Sequence, residues 1–117
     1  MPESSTDCLF CRIAAREIPA EIVHESHGVV GFRDLRPAAP THILLIPKEH
    51  IESAADLEEK HGDLLAELFQ AAAHLARAEK LNSGWRVVTN VGPDAGQSVF
   101  HLHFHLLGGR PMGWPPG

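Results

Sequence analysis

Three histidines alternate with large apolar residues near the C-terminus of this chain. The segment reads His101-Leu102-His103-Phe104-His105-Leu106-Leu107. In a β-strand, residues two apart share a face and lie about 6.6 Å apart along it. The pattern therefore predicts a strand over 101–107 with the imidazoles on one surface and the apolar residues in a core. Because imidazole can be a nucleophile, a proton carrier or a metal ligand, we expect a reaction site there rather than a surface strand that happens to carry histidines.

Length and charge limit the class of protein. A chain of 117 residues is enough for one domain, and we assign residues 1–117 to a single domain. The formal net charge is -5 and no run of basic residues occurs, which argues against binding to duplex nucleic acid. A small nucleotide remains possible, because backbone N–H groups and neutral donors can hold a phosphate without a basic surface.

The N-terminal residues 1–7 are polar and resemble neither a secretion signal nor a membrane segment. They lack a basic start and an apolar stretch, and no apolar run elsewhere approaches transmembrane length. We therefore expect a flexible N-terminal tail on a cytoplasmic protein that makes no use of a membrane.

Apolar periodicity and turn residues predict an α+β domain. The expected elements are a short helix around 9–14, hairpin strands at 21–25 and 29–34, a buried central strand at 41–47, a long helix from about 56 to 80, a strand at 85–90 and the histidine strand. This order favours an antiparallel sheet of about five strands with the long helix on one face. The tail 110–117 is expected to be extended, with Trp114 packed either on its own subunit or on a partner.

Cys8 and Cys11 are the only cysteines and form a Cys-x-x-Cys pair. In a reducing compartment this spacing indicates metal or redox chemistry more than a structural disulfide. Two ligands alone do not make a structural zinc site, which usually needs four.

The chain resembles the histidine triad (HIT) family, and within it the Hint branch of small nucleotide-binding hydrolases. The strongest part of the resemblance is the segment 96–110, which is similar to the family signature without a gap. Further matching segments are Phe32-Arg33-Asp34-Leu35-Arg36-Pro37, Ala39-Pro40-Thr41-His42, Ile46-Pro47-Lys48-Glu49-His50-Ile51 and Trp114-Pro115-Pro116-Gly117. The resemblance implies the HIT-like fold and extends over nearly the whole chain.

The resemblance implies that His103 attacks the α-phosphorus of a nucleoside phosphoramidate or acyl-nucleotide. A covalent nucleotidyl-histidine forms, and water then releases the nucleoside monophosphate. This chemistry needs one unprotonated ring nitrogen on His103, with the other nitrogen donating to an acceptor. The candidate donors to the phosphoryl oxygens are His105, Ser98, Gln97 and the backbone of the Gly96–Ser98 loop, and Ser98 or His105 can also deliver a proton to the leaving amine.

Other residues are implied to hold a purine nucleotide. Asp34 is expected to bind the ribose hydroxyls, although a turn cap is its alternative role, and Asn90 is expected to contact the sugar-phosphate. His42 either orients the triad or is a packed strand residue. The implied base slot, whose members could equally be core residues, consists of Leu9, Phe10, Ile13, Phe32 and Leu35. Trp114 of the other subunit would border the leaving group.

The resemblance also completes a metal site. The resemblance to family members that keep the Cys-x-x-Cys pair implies a closed Cys₂His₂ site for a structural zinc ion. Its ligands here would be Cys8, Cys11, His50 and His101. A reduced, metal-free cysteine pair is the alternative. The remaining histidines, His24, His27, His61 and His74, match no motif and are expected to face solvent.

These expectations together describe a homodimeric, zinc-containing HIT hydrolase. Two rival functions remain open at this point. One is a dinucleoside polyphosphate hydrolase or phosphorylase of the Ap4A type, which uses the same triad on another leaving group. The other is a nucleotide-binding adaptor with little catalytic role.

Overall fold

A computed structural model describes residues 7–117, and the expected tail therefore lies almost entirely outside the described residues. The helices and strands, in chain order, are α1 (Leu9–Ala14), β1 (Ile22–Glu25), β2 (Val29–Arg33), β3 (Thr41–Pro47), α2 (Gly62–Ala78), β4 (Trp85–Val88) and β5 (Phe104–Gly108). Three short 3₁₀ helices lie in the connections, at Ala54–Asp56, Glu59–His61 and Pro93–Ala95.

The five strands form one antiparallel sheet in the order β1-β2-β3-β5-β4. Strand β3 is central and every one of its residues is buried. Its unbroken apolar sequence is typical of a strand that is covered on both faces. The expected α+β architecture, with five strands, one long helix and a short N-terminal helix, is confirmed.

Two apolar cores cover the two faces of the sheet. The larger core joins α2 to the sheet and contains Leu102, Phe104 and Leu106, the three apolar residues that alternate with the histidines. The smaller core lies under α1 and contains Phe10, Ile13, Val30, Phe32, Leu44 and Ile46. The histidines therefore lie on the α1 side of the sheet, as their alternation with core residues predicts.

The long helix begins six residues later than the apolar periodicity predicts. Leu57 has extended backbone angles (φ -72°, ψ 143°), so the chain cannot be helical through this point. The turn that follows is capped by His61, whose Nδ1 accepts a hydrogen bond from the backbone N–H of Glu58 at 2.9 Å. His61 is therefore buried, and the expectation that it faces solvent is wrong.

The histidine strand is shorter than predicted. Only His105 lies within β5, while His101 and His103 precede it. The reason is that the backbone N–H of Leu102 donates to the carbonyl of Ile51 at 2.6 Å instead of joining the strand ladder. Leu102, Phe104 and Leu106 still lie in the larger core, but His101 and His103 are buried too, so exposure alternates only within β5.

Residues 111–117 form neither helix nor strand, and Trp114 does not pack on its own chain. Its side chain is 84% exposed. The tail is held by the guanidinium of Arg86, which donates to the carbonyl of Gly113 at 2.9 Å. Of the two expected placements of Trp114, packing on its own subunit is therefore wrong. Among the described residues, no helix combines the length and the apolar character needed to span a membrane.

Gly109, at the end of β5, offers a test of how tightly this region is packed. Its φ is +94°, and an added Cβ would lie 2.8 Å from Cβ of Pro40. We therefore expect Gly109→Ala to lower the free energy of unfolding by about 2–4 kcal/mol, measured by urea denaturation. Gly113→Ala is the matched control, because its added Cβ meets no atom within 4 Å. Equal stability of the two variants would contradict this account.

Candidate active site and metal centre

The middle histidine of the triad has a defined protonation pattern. Nδ1 of His103 lies 2.7 Å from the backbone carbonyl of His101. A carbonyl oxygen can only accept, so Nδ1 carries the proton and the neutral ring keeps its lone pair on Nε2. The ring is buried and packs edge-on against Phe10, with the ring centres 5.1 Å apart. This is the arrangement that a nitrogen nucleophile requires.

A second chain of hydrogen bonds fixes His42 and His105. The backbone N–H of Ala38 donates to Nδ1 of His42 at 2.9 Å, so the proton of the neutral His42 ring is on Nε2. That Nε2–H lies 2.8 Å from Nδ1 of His105 and donates to it. His105 must then carry its own proton on Nε2. This chain of hydrogen bonds therefore makes His105 Nε2–H a hydrogen-bond donor.

Burial keeps these two imidazoles neutral. Burial, with smaller contributions from His103 and His42 and against the opposing effect of Asp34, lowers the pKa of His105 to about 4. Burial also lowers the pKa of His42, again against the effect of Asp34. At neutral pH both rings are therefore uncharged, as the tautomer chain requires.

Asp34 lies directly after β2, beside the hydrogen bonds that join Ala38, His42 and His105. Its Oδ1 accepts the backbone N–H of Arg36 at 2.8 Å, and its Oδ2 is 3.5 Å from Nε2 of His42. Asp34 therefore caps the turn through Oδ1, and its Oδ2 can still accept a hydrogen bond from a ribose hydroxyl. The donor atoms of Asp34, His42 and His105 lie within 4.8 Å of one another, which is close enough for a metal ion. The proton on Nε2 of His42 argues against one, so we interpret this group as a hydrogen-bonded relay.

The depressed pKa of His105 has a measurable consequence for stability. In the unfolded chain a histidine takes up a proton near its ordinary pKa of 6.5, whereas the folded His105 resists protonation until about pH 4. Its contribution to stability is thus complete above pH 6.5 and is lost as the pH falls toward 4. When the pH is lowered from 7 to 5, we therefore expect the free energy of unfolding to decrease less in His105→Gln than in the wild type. Urea denaturation with EDTA in both samples measures this, and equal losses would contradict it.

The residues of the implied base slot divide into two groups. Phe10, Ile13 and Phe32 are buried in the smaller core. Leu9 is about half exposed and Leu35 is 95% exposed. The first group serves as core, and Phe10 also contacts the His103 ring. Leu9 and Leu35 are not buried by any part of the described chain, so their role in a base slot stays a prediction.

The loop before the triad differs in part from expectation. Gln97 is buried, and its side-chain amide donates to the backbone carbonyls of Glu52 (2.8 Å) and Val99 (3.1 Å). Its Oε1 accepts the N–H of Gly92 at 3.0 Å. With both amide hydrogens engaged, Gln97 braces the loop, and its expected role as a phosphate donor is not supported by this geometry.

The other predicted contacts at this end of the site are accessible. Ser98 is exposed and lines a cavity of about 370 Å³ together with Cys8, Leu9 and His50. Gly96 is exposed with a φ of +83°, a conformation that favours glycine. Asn90 is part-buried and follows β4 by two residues. Within the described chain, no hydrogen bond joins these three side chains or backbones to His103.

The four predicted metal ligands come together at the start of α1. The Sγ atoms of Cys8 and Cys11 and the Nδ1 atoms of His50 and His101 all lie within 4.8 Å of one another. Nδ1 of His101 is 3.2 Å from Cys8 Sγ and 3.4 Å from Cys11 Sγ. Nδ1 of His50 is 3.3 Å from Cys11 Sγ.

These distances fit a tetrahedral metal ion. Zinc–sulfur bonds of about 2.3 Å and zinc–nitrogen bonds of about 2.0–2.1 Å at the tetrahedral angle separate sulfur from nitrogen by about 3.5 Å. Nε2 of His101 donates to the carbonyl of Pro47 at 2.8 Å, which leaves the Nδ1 lone pair facing the thiols. Neither cysteine forms a disulfide. The donor set therefore suits a structural zinc ion.

The electrostatics of the thiols point the same way. Burial, together with a hydrogen bond and the charge of the neighbouring Cys8, raises the pKa of Cys11 to about 12. Two thiolates in this position are therefore unfavourable without a cation. A bound metal ion reverses that balance, because it deprotonates the thiols that coordinate it.

The sequence predicts the side chains of this candidate site but not the backbone groups that set their tautomers. These are the N–H of Ala38, the carbonyl of Pro47 and the carbonyl of His101. Backbone atoms are the same in every residue, so composition and spacing carry no signal for them. Only the folded chain shows which ones face the histidines.

Comparison with known proteins agrees with this geometry. Residues 7–113 match the profile of a family described as the scavenger mRNA decapping enzyme C-terminal binding domain. A solved HIT family hydrolase from Legionella pneumophila Philadelphia 1 superposes with a TM-score of 0.92 at 52% sequence identity, covering 94% of this chain and 99% of the other. The chain belongs to the histidine triad family.

Two further proteins are similar to almost the whole of this chain. A 14 kDa zinc-binding protein of Zea mays is 49% identical over 111 residues, which are 93% of this chain and 87% of that protein. The adenylylsulfatase HINT1 of Arabidopsis thaliana is 45% identical over 116 residues, which are 97% of this chain and 79% of that protein. The comparisons support a hydrolase of this family.

Proposed function

We propose that this HIT protein hydrolyses adenylyl or other purine nucleotidyl conjugates, with phosphoramidates and acyl-nucleotides as substrates, through a covalent nucleotidyl-His103. The observation that carries the proposal is the hydrogen bond from His103 Nδ1–H to the carbonyl of His101, which leaves Nε2 free to attack. Family membership supports the reaction class, and the adenylylsulfatase relative supports an adenylyl group as the part retained on the histidine.

The first step joins His103 to the nucleotide. The Nε2 lone pair of His103 forms a bond to the α-phosphorus while the bond from phosphorus to the leaving nitrogen or oxygen breaks. Nε2–H of His105, which the relay orients, donates a hydrogen bond to a phosphoryl oxygen, and the departing amine takes its proton from solvent water. His105 stays neutral and keeps this orientation for the second step.

In the second step, water attacks the nucleotidyl-His103. One proton of the attacking water is released to solvent, the phosphorus–nitrogen bond to His103 breaks with its electron pair returning to Nε2, and the nucleoside monophosphate leaves. Asp34 can accept a ribose hydroxyl, and the exposed Ser98 can donate to the leaving group or to a phosphoryl oxygen. Both histidines are then in their starting protonation states.

A substrate panel tests the proposed specificity. Adenosine phosphoramidate, an acyl-adenylate, adenylyl sulfate and diadenosine tetraphosphate would be compared by kcat/KM. We expect the phosphoramidate or the acyl-adenylate to be hydrolysed fastest. A preference for adenylyl sulfate would retain the mechanism with another leaving group, a preference for diadenosine tetraphosphate would favour the Ap4A-type alternative, and binding without turnover would favour the adaptor.

We also propose that the ion held by Cys8, Cys11, His50 and His101 is zinc and that its role is structural. The closed set of four protein ligands leaves no position for a substrate. The zinc-binding relative from Zea mays supports the choice of metal. Zinc would anchor α1, which carries Phe10, to the segment that leads into β5.

We further propose that the protein is a cytoplasmic homodimer in which the tail crosses to the partner. The exposure of Trp114 supports this, because a large aromatic side chain left in water is a candidate for burial at an interface. Light scattering at micromolar concentration would test the dimer, and a monomer would refute it. Trp114→Ala would then show whether the tail affects the leaving group, through a change in kcat/KM that depends on the substrate.

A further inference from the structure

Three polar groups of His101, the two ring nitrogens and the backbone carbonyl, each contact a different part of the molecule. Nδ1 faces the thiols of Cys8 and Cys11, and Nε2–H donates to the carbonyl of Pro47 at the end of β3. Its backbone carbonyl accepts Nδ1–H of His103. The side chain is completely buried. One residue therefore connects the metal ligands, the central strand and the proposed nucleophile.

The peptide unit between His101 and Leu102 is held on one side by a proposed metal ligand and on the other by the chain neighbour of a second ligand. Its carbonyl belongs to His101, which is itself a ligand. Its N–H donates at 2.6 Å to the carbonyl of Ile51, the residue that follows the ligand His50. Because residues 101–103 precede β5, this peptide unit is outside the strand ladder that would otherwise orient it.

We propose that His101 is a positioning residue through which the bound metal ion holds His103 in its reactive tautomer. The ion fixes the His101 ring and the neighbouring Ile51 carbonyl, so the 101–102 peptide keeps its carbonyl aimed at Nδ1 of His103. That carbonyl in turn keeps the lone pair on Nε2. The inference rests on the proposed role of His103 as nucleophile, and it makes the metal centre a determinant of rate as well as of stability.

Side-chain ¹⁵N NMR of His103 tests the coupling without measuring activity. The zinc-loaded protein should show one tautomer, with the proton on Nδ1. After zinc is stripped with EDTA, with the metal content and circular dichroism measured, His103 should exchange between both tautomers. An unchanged Nδ1–H tautomer in metal-free, folded protein would overturn the proposal.

A rate measurement accompanies the spectra. Formation of the adenylyl adduct at saturating adenosine phosphoramidate isolates the chemical step from binding, which matters because α1 also carries Phe10. We expect the stripped protein to form the adduct at least about 10-fold more slowly than the zinc-loaded protein, because loss of groups that orient a reactive residue typically lowers activity by 10-fold or more. An unchanged rate in metal-free protein would also refute the coupling.

Cys8→Ser provides a variant that keeps the fold. Cys8 is the N-cap of α1, and its Sγ accepts the N–H of Cys11 at 3.3 Å. Serine is a preferred N-cap residue, so this substitution removes a thiolate and preserves the cap. Added zinc should restore the tautomer and the rate in stripped wild type but not in Cys8→Ser. Exposed His74, mutated to Gln, is the matched control and should behave as wild type.

The proposed function and this inference fail in different ways. If wild-type protein forms no adduct with any nucleotide of the panel, the proposed function is wrong, while the NMR comparison still decides whether the metal controls the His103 tautomer. If the adduct forms equally with and without zinc, the function stands and the coupling is wrong.

Discussion

His103→Ala is expected to lower the rate of nucleotidyl hydrolysis by about 10⁴-fold or more, a loss typical for removal of a covalent nucleophile. The physical reason is that no other imidazole of the site offers a free lone pair in the same position: His105 Nε2 carries a proton, and His101 is turned toward the thiols. Rapid quenching followed by mass spectrometry should detect an adenylyl adduct in wild type and none in the variant.

The control for this substitution is His27→Ala, since His27 is exposed in the turn between β1 and β2. It should keep wild-type kcat/KM. Nucleotide binding by His103→Ala, measured by calorimetry, separates loss of the nucleophile from loss of the pocket. An adduct on the variant, or turnover within tenfold of wild type, would assign the nucleophile to another residue.

Loss of the metal should produce the largest change in stability. Cys11→Ser is expected to reduce bound zinc from one ion per chain to nearly none and to lower Tm by about 10 °C or more, because the free energy of metal binding contributes directly to folding. The ligands join α1 to segments that are 39 and 90 residues away along the chain, so the ion acts as a long-range cross-link. Elemental analysis and thermal unfolding measure the two effects.

A chelator makes this prediction sharper. EDTA should lower the Tm of wild type and of the exposed-site control His74→Gln, and it should leave the Tm of Cys11→Ser unchanged. If wild type and Cys11→Ser bind equal amounts of zinc, the four-ligand site is wrong. If the chelator removes zinc and Tm does not change, the ion is present without a structural role.

Much of the fold could be predicted from local patterns. The hairpin, the buried strand β3 and the apolar residues between the histidines follow from alternation and turn residues, which act over a few positions. The start of the long helix could not be predicted this way. Leu57 continues the helical periodicity, yet it is extended because the segment before Gly62 forms two separate capped turns.

The sequence predicted the side chains of the candidate site better than their roles. Gln97 stands in the signature loop where a phosphate donor is plausible, but its amide braces that loop. His61 matches no motif and is expected to face solvent, but it is buried and caps a turn. In both cases the partner is a backbone group that tertiary folding brings close, and pattern analysis cannot locate such partners.

The family, the placement of Leu102, Phe104 and Leu106 in the core, and the four side chains of the candidate metal site can all be read from residue order and from resemblance to known motifs. The nitrogen that carries the proton on each histidine cannot be read in this way and follows from the folded chain. That choice depends on single acceptors and donors, such as the carbonyls of Pro47 and His101 and the N–H of Ala38, whose positions are set by the sheet and its connections. Imidazole chemistry depends on the tautomer, so the spacing of the histidines indicates a reactive site and the fold assigns each ring its task.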